Sequence, residues 1–369
     1  MRRLLLFEKR HLGVCVAWLL PLLTGLLQWM LWEAINPPEA RRAIGLRQPG
    51  GRRPLTAALL VLVCLGLFPV GCGNPGGPEL RIGINAWPGY ELIYLAQERG
   101  FFRDAGVRVK LVEFGSLSDA RRAYESSKID GLATTIVEVL MARDATPRDL
   151  RIVRLIDFSD GADVIIAGKD AQSLRDLRGK RIGVELASLG IFVLARALEL
   201  EGLSLADVKP VSKGQQTMRE ALLASELDAT VAYPPESDAT LRDPRFQVIF
   251  STRKIPGEVV DVLAIDGDVL RQRPGQITAF LHAMDRAHEF LQQHADEACR
   301  IMGERQGLSG PEFKRLLYDG IRLVAPGEQS VYFGETGKLR AVIAGTARTL
   351  RDVKLISARP EVMDCLRQP

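Results

Sequence analysis

The stretch at residues 80–102, LRIGINAWPGYELIYLAQERGFF, decides the fold. It opens as a buried strand over 80–86 and closes as a helix over about 90–99, with Trp87, Pro88 and Gly89 between them. A strand that turns directly into a helix is the opening half of a β-α-β unit, and it predicts a parallel sheet flanked by helices. The turn also carries two large aromatic side chains, Trp87 and Tyr90, at the carboxyl end of the strand. They are either core anchors of a tight turn or walls of a ligand site.

Reading outward, the alternation continues. Strands are expected at 107–113, 129–134, 150–156 and 162–168, with helices at 117–127 and 136–143. A second run follows, with strands at 181–185, 208–212, 228–232 and 246–250 and helices at 189–202, 215–225 and 236–242. Strand 259–266 precedes a helical tail at about 275–293, 295–305, 310–319 and 335–350. Local punctuation agrees: Ser118 stands where a helix N-cap would, and Gly202 where a helix would stop. Each run builds a small open-sheet lobe, and the joins near 163–168 and 256–261 are the expected passages between lobes. The division expected is 1–77 for N-terminal apolar segments, signal and linker, 78–164 for the first lobe, 165–257 for the second, and 258–369 for the return to the first.

The N-terminal part differs in kind. Nine Lys/Arg and three acids fall within residues 1–71; the rest of the chain carries 40 and 42, a net charge of −2. A near-neutral globular part gives no support for nucleic-acid binding. Residues 12–32 are apolar over a length that can span a bilayer. Residues 54–72 follow Arg52 and Arg53 and have the layout of a secretory signal: a basic start, an apolar middle and small residues before Cys72. Val70-Gly71-Cys72 resembles a lipoprotein cleavage site, with Pro69 where Leu is usual, so Cys72 is the expected lipidation site. Two apolar runs flanking a basic segment conflict with the positive-inside tendency. The simplest resolution is an export signal that begins near residues 46–53; the rival is a two-anchor topology.

Cys299 and Cys365 are the cysteines of the globular part, and either a disulfide or two buried thiols fits them. His282, His288 and His294 repeat every six residues, which scatters them around a helix. No metal and no cofactor is expected.

Ligands of open α/β sheets bind at the carboxyl ends of the strands. This chain places there Asn85, Trp87 and Tyr90; Ser116; Thr134 and Thr135; Asp157; Glu185 and Ser188; Tyr233; and Asp261. The set is polar, aromatic and acidic, without Lys, Arg, His or Cys. The helix starts after Tyr90, Ser188 and Pro235 add backbone N–H groups suited to oxygen atoms. Against each stands a bland alternative: a core anchor, a helix cap, a β-branched strand residue or a loop hydrogen bond.

GINAWPGYELIYLAQERGFF, VEFGSLSDARRAYESSKIDGLATT, DLRGKRIGVELASLGIFVLARALELEGL and ELDATVAYPPES together make about residues 78–350 resemble the substrate-binding proteins of ABC importers for nitrate, sulfonates, taurine and thiamine-precursor pyrimidines. The resemblance implies a type II periplasmic-binding-protein fold, two open-sheet lobes joined by a hinge, closing on a small ligand. It implies Trp87, Tyr90, Thr134 and Thr135 on one side of the ligand, and Ser188, Leu189, Gly190 and Tyr233 on the other. The partners implied are a small molecule, an ABC permease and a membrane to which a lipid anchor or N-terminal segment ties a monomer. Acids without bases at the strand ends favour a pyrimidine-like or amine-bearing organic ligand over nitrate, with a sulfonate still open. A ligand sensor docking on a signalling receptor would use the same lobes. A pyrimidine synthase on this fold would need a His-rich site, a cofactor lysine and a Cys-rich segment, none of which the strand ends offer.

Overall fold

Strand β1 (Leu80–Ile84) is buried along most of its length, and Pro88 at the first position of a 3-10 turn (Pro88–Tyr90) starts the chain helically. Helix α1 (Glu91–Glu98) continues from it, so the predicted single helix is a turn plus a helix. The computed structural model describes residues 77–334 and 336–366. Cys72 and both apolar runs lie outside the described residues. Among the described residues no helix is long and apolar enough to cross a membrane.

The chain then runs through α2 (Phe101–Asp104), β2 (Val109–Glu113), α3 (Leu117–Glu125), β3 (Gly131–Thr135), α4 (Ile136–Ala145), β4 (Leu150–Ser159) and β5 (Val164–Gly168). It continues through β6 (Arg181–Val184), α5 (Leu189–Leu200), β7 (Lys209–Ser212), α6 (Gln215–Leu223), β8 (Ala229–Ala232), α7 (Glu236–Leu241), β9 (Phe246–Ser251) and β10 (Val260–Asp266). The tail contains α8 (Gly267–Gln272), α9 (Pro274–Gln293), α10 (Ala295–Arg305), α11 (Gly310–Gly320), β11 (Ile321–Leu323), α12 (Gln329–Tyr332) and α13 (Lys338–Asp352).

Two sheets result. The first has the order β11-β4-β10-β3-β1-β2, the second β7-β6-β8-β5-β9. Within them β1 runs parallel to β2 and β3, and β6 parallel to β7 and β8. The return strands are antiparallel, β10 to β3 and β4, and β5 to β8 and β9. The two open sheets agree with the alternation of elements, and their order is the periplasmic-binding-protein arrangement that the resemblance implied. Two details differ. Ser116 rather than Ser118 caps α3, its Oγ accepting from the Asp119 amide at 3.1 Å. The short β11 was not expected; it pairs with the end of β4, which extends to Ser159.

The chain crosses between sheets twice, from β4 to β5 and from β9 to β10. The crossings are stitched to each other. Ser159 and Thr252 hydroxyls meet at 2.8 Å, the Gly161 amide donates to Thr252 Oγ1 at 2.9 Å, and the Thr252 amide donates to the Asp163 carbonyl at 3.0 Å. Gly161 has φ +116, and a Cβ there would lie 2.9 Å from Arg253 Nε, so the crossing requires glycine.

The tail packs on the first sheet's helices. Glu91, fully buried in the first turn of α1, pairs with Arg305 of α10 and accepts from Gln306 at 2.8 Å. A carboxylate removed from water requires such partners. Phe102 and Phe280 stack at 4.8 Å between ring centres, a contact worth about 0.5–1.5 kcal/mol beyond area burial. Cys299 and Cys365 are buried free thiols; burial pushes them up to about 11 and about 12 respectively.

Candidate functional site

Three neighbouring strands of the first sheet present one row of polar side chains. Asp261 on β10 lies opposite Thr135 at the end of β3 on one side, and opposite Asp157 near the end of β4 on the other. Because β10 is antiparallel, its first residues share an edge with the last residues of β3. Beside this row, the β1 turn brings Asn85, Trp87 and Tyr90. From the second sheet come Glu185 and Ser188 after β6, Tyr233 after β8, and Asp163 just ahead of β5. Here too an antiparallel strand brings its beginning to the carboxyl edge of its neighbours.

The aromatic pair is fixed by acids. Trp87 Nε1 donates to the Asp157 carboxylate at 3.2 and 3.3 Å, and the Tyr90 hydroxyl donates to Asp261. The Trp87 ring stands edge-on to Tyr233 of the second lobe, 6.1 Å between centres and 75° between planes, and tilted to Tyr90 at 6.4 Å. The backbone comes close to the same carboxylate at Gly89: a Cβ there would fall 1.9 Å from Asp157 Oδ2. Only glycine fits this turn while Asp157 holds the indole.

Trp87 and Tyr90 are therefore both buried, at 4% and 0% exposure. In this closed arrangement the protein itself covers them, Trp87 against the opposite lobe. The two are walls of the interlobe gap and not anchors deep within one lobe. With Asn85, Leu117 and Asp261 they face Asp163, Leu189 and Tyr233 across a residual cavity of about 10 Å³. A space of that size holds about one water molecule, so the gap must widen to admit a ligand.

A second contact joins the lobes. Glu138, in the first turn of α4 and fully buried, accepts from the Ser188 hydroxyl at 2.7 Å and from the Leu189 amide at 2.8 Å; its other oxygen accepts from Thr135. Neither Glu138 nor Asp163 was among the strand-end candidates. The expected open helix start after Ser188 is thus occupied. Gly190, the next residue of α5, lies close to β6: a Cβ would be 3.0 Å from Val184 Cγ2. Of the remaining candidates, Ser116 is engaged as the cap of α3, and Thr134 is buried with its hydroxyl unpartnered.

The site leaves several polar atoms bare, most of them acceptor oxygens. Asn85 Oδ1, Thr134 Oγ1, Asp163 Oδ2, Glu185 Oε1, Tyr233 OH and Asp261 Oδ2 are all buried without a hydrogen-bond partner. Buried polar atoms are ordinarily satisfied, so such a group of orphans marks a place for a guest or water. Protonation reflects the same burial. Burial pushes Asp163 and Glu185 up to about 7, with Glu138 adding to both. Asp157 and Asp261, face to face, are raised by burial, and the charge of Asp157 raises Asp261 further. One proton shared between two facing carboxyls is the arrangement expected there. Among the described residues no Lys, Arg or His lines the cavity. His282 and His288 lie on α9 and His294 at its C-cap, and among the described residues no cluster of His, Cys, Asp and Glu is set to hold a metal.

Residues 87–298, more than half of the chain, match the family model described as NMT1/THI5 like. The chain belongs to the NMT1/THI5-like family. Proteins similar to it in sequence include a Haemophilus influenzae protein named for thiamine biosynthesis, 25% identical over 214 residues, 57% of this chain and 68% of that protein. A 4-amino-5-hydroxymethyl-2-methylpyrimidine phosphate synthase of Aspergillus parasiticus is 23% identical over 251 residues, 64% of this chain and 72% of the synthase. In fold, this NMT1/THI5-like chain resembles the alkanesulfonate-binding protein SsuA of Xanthomonas axonopodis bound to MOPS, with TM-score 0.69, 18% identity and coverage of 80% of this chain and 99% of that one. It also resembles the periplasmic nitrate-binding protein NrtA of Synechocystis, with TM-score 0.63, 13% identity and coverage of 78% and 86%.

Proposed function

We propose that this chain is an extracytoplasmic solute-binding protein that closes on a small, planar, amine-bearing organic ligand of the aminopyrimidine class and delivers it to an ABC importer. The observation that carries the reading is the cavity between the lobes, walled by Trp87, Tyr90 and Tyr233 and lined with buried polar atoms that have no partner, chiefly acceptor oxygens. An aminopyrimidine presents flat faces to the aromatic rings and N–H groups to the orphaned oxygens, and its protonated form offsets the carboxylates. A sulfonate or nitrate would bring more acceptors and negative charge to a site that already has too many. The binding-protein fold of the SsuA and NrtA neighbours supports the role, and the pyrimidine and thiamine names of the sequence relatives support the ligand class.

In this reading residues 78–164 and 258–369 form one lobe and 165–257 the other. Asn85, Trp87, Tyr90, Thr134, Thr135, Asp157 and Asp261 contact the ligand from the first lobe; Glu185, Ser188, Leu189, Gly190 and Tyr233 contact it from the second. Ser116 holds the rim through its cap. Export by the segment at residues 54–72, with acylation of Cys72, would tether the monomer to a membrane beside its permease. The synthase name of two relatives favours a second reading, an enzyme acting on the same fold. It finds little support in the cavity, which has no Lys or His among its lining residues.

A thermal-shift and calorimetric panel of 4-aminopyrimidines, alkylamines, alkanesulfonates and nitrate tests the proposal. Aminopyrimidines are expected to raise the melting temperature, since a ligand bound only by the native state stabilises it. Binding restricted to sulfonates or nitrate overturns the ligand class. Chemical conversion of a bound compound overturns the non-enzymatic role.

A further inference from the structure

We propose that Glu138 is a specificity-determining residue: a carboxylate supplied by the first lobe fills the anion seat at the start of α5 in the second, so the closing protein accepts cationic guests and turns away anionic ones. The inference deepens the solute-binding reading and rests on it for the ligand half of its claim.

Helix α5 is twelve residues long, and the start of such a helix carries unpaired amides and partial positive charge. An anion bound between two lobes would be held there. In this chain the place is taken from within. Glu138 Oε1 accepts from both Ser188 Oγ and the Leu189 amide, while Thr135 holds Oε2. Ser188 makes no cap of its own, so the donors at this end are turned to a carboxylate from the opposite lobe. The charges around it are mostly of the same sign. Glu185 and Asp163 feel Glu138 directly, and each has a buried oxygen without a partner. The nearby cation, Arg121 of α3, is paired with Glu125 and reaches the Ala187 carbonyl at 3.4 Å. A ligand anion entering here would have to displace Glu138 and leave it buried beside two other acids. A ligand cation meets Glu138 already oriented by three donors and two orphaned acceptors next to it.

The contact joins the lobes through protein atoms alone, which gives a test independent of ligand identity. In the ligand-free protein, the Leu189 amide should exchange its hydrogen at least tenfold faster in Glu138→Ala than in the wild type. Glu138→Gln keeps an acceptor for that amide and should exchange at close to the wild-type rate. Calorimetry supplies the second arm, with ethanesulfonate and 4-aminopyrimidine as probes. Both variants should gain ethanesulfonate binding at least tenfold and lose 4-aminopyrimidine affinity by a similar factor. Glu138→Gln, nearly isosteric, keeps the test readable should the alanine variant fail to fold. Unchanged Leu189 exchange in Glu138→Ala overturns the contact itself. Faster exchange with ethanesulfonate still excluded from both variants overturns the specificity role. If 4-aminopyrimidine binds neither wild type nor variant while ethanesulfonate binding appears only in the variants, the ligand class of the preceding section fails and the role of Glu138 stands.

Discussion

The two lobes are built from similar sheets, yet they meet the cleft in different states. The first lobe's functional groups are largely bonded to one another: Trp87 to Asp157, Tyr90 to Asp261, Thr135 to Glu138. The second lobe's groups look across the gap. Ser188 and Leu189 find their partner in the first lobe, and Tyr233 OH and Glu185 Oε1 have none. One half is a floor whose aromatic walls are held by its own acids; the other is a cover whose helix start is satisfied across the gap, and both keep bare oxygens, Asn85 Oδ1, Thr134 Oγ1 and Asp261 Oδ2 on the floor and Glu185 Oε1 and Tyr233 OH on the cover. Preorganisation lowers the ordering cost of binding. The difference leads us to expect the aromatic contacts of the first lobe to be set before binding and the contacts of Ser188 and Leu189 to depend on closure.

The most severe way to break the floor is to move Asp157. Gly89→Ala pushes a methyl group into its carboxylate, and Asp157→Ala leaves a buried indole N–H without an acceptor. Each is expected to cost about 1–3 kcal/mol of stability, the desolvation cost of an orphaned buried group, and to weaken ligand binding by at least tenfold. Chemical denaturation and calorimetry measure the two effects. A Gly89→Ala protein with full affinity would show that the Trp87–Asp157 contact is not part of the floor.

Next in size is Trp87→Ala, which removes an aromatic wall of the first lobe together with its edge contact to Tyr233. We expect a loss of about 1–3 kcal/mol in binding from lost burial and stacking. Unchanged affinity by calorimetry would remove Trp87 from the site.

How much of this contrast the sequence revealed depends on the strand direction. The β1 turn, with strand, Trp87, Pro88 and Tyr90 in order, is legible because local alternation and a proline at the first helical position dictate it. The same local logic reaches Glu185, Ser188 and Tyr233, which follow strands, and Asp157, which lies near the end of β4. Glu138 and Asp163 escape it. Glu138 is a helical turn beyond its strand, and Asp163 precedes a strand that happens to run antiparallel, a pairing that no short segment encodes. Their signal is of another kind, an acid set in an apolar run: TTIVEVLMA for Glu138 and GADVIIAG for Asp163. An ionisable group so placed will be buried, and buried charge is seldom without function. Ser116 illustrates the reverse: it stands at a strand end, and its hydroxyl is used to cap a helix.

Proton linkage sharpens the comparison further. Asp157, Asp163 and Glu185 are raised to about 7 in the folded protein, so the folded state holds protons that the unfolded state has released. Stability from these groups is present below about pH 4 and is lost as pH rises toward 7. The empty protein should therefore melt at a lower temperature at about pH 8 than at about pH 5. A cationic ligand compensates the charges exposed by deprotonation, so the ligand-induced rise in melting temperature should grow over the same interval. A rise that shrinks with pH would point to an anionic ligand, and thus against the acid-lined site.

The smallest expected effect separates floor from cover most cleanly. Tyr233 is buried, its hydroxyl has no partner, and burial holds it well above the ordinary phenol range, so it stays neutral. Tyr233→Phe removes an orphaned group from the empty closed protein and should leave its melting temperature unchanged or slightly higher. If the cover's bare atoms are completed by the ligand, the same change removes a hydrogen bond from the complex and weakens binding by about 0.5–1.5 kcal/mol. Tyr90→Phe, on the floor, should do the opposite in the empty protein, because the hydroxyl it removes is already bonded to Asp261. Equal behaviour of the two variants in the ligand-free protein would abolish the distinction between a prearranged half and a half that waits for its guest.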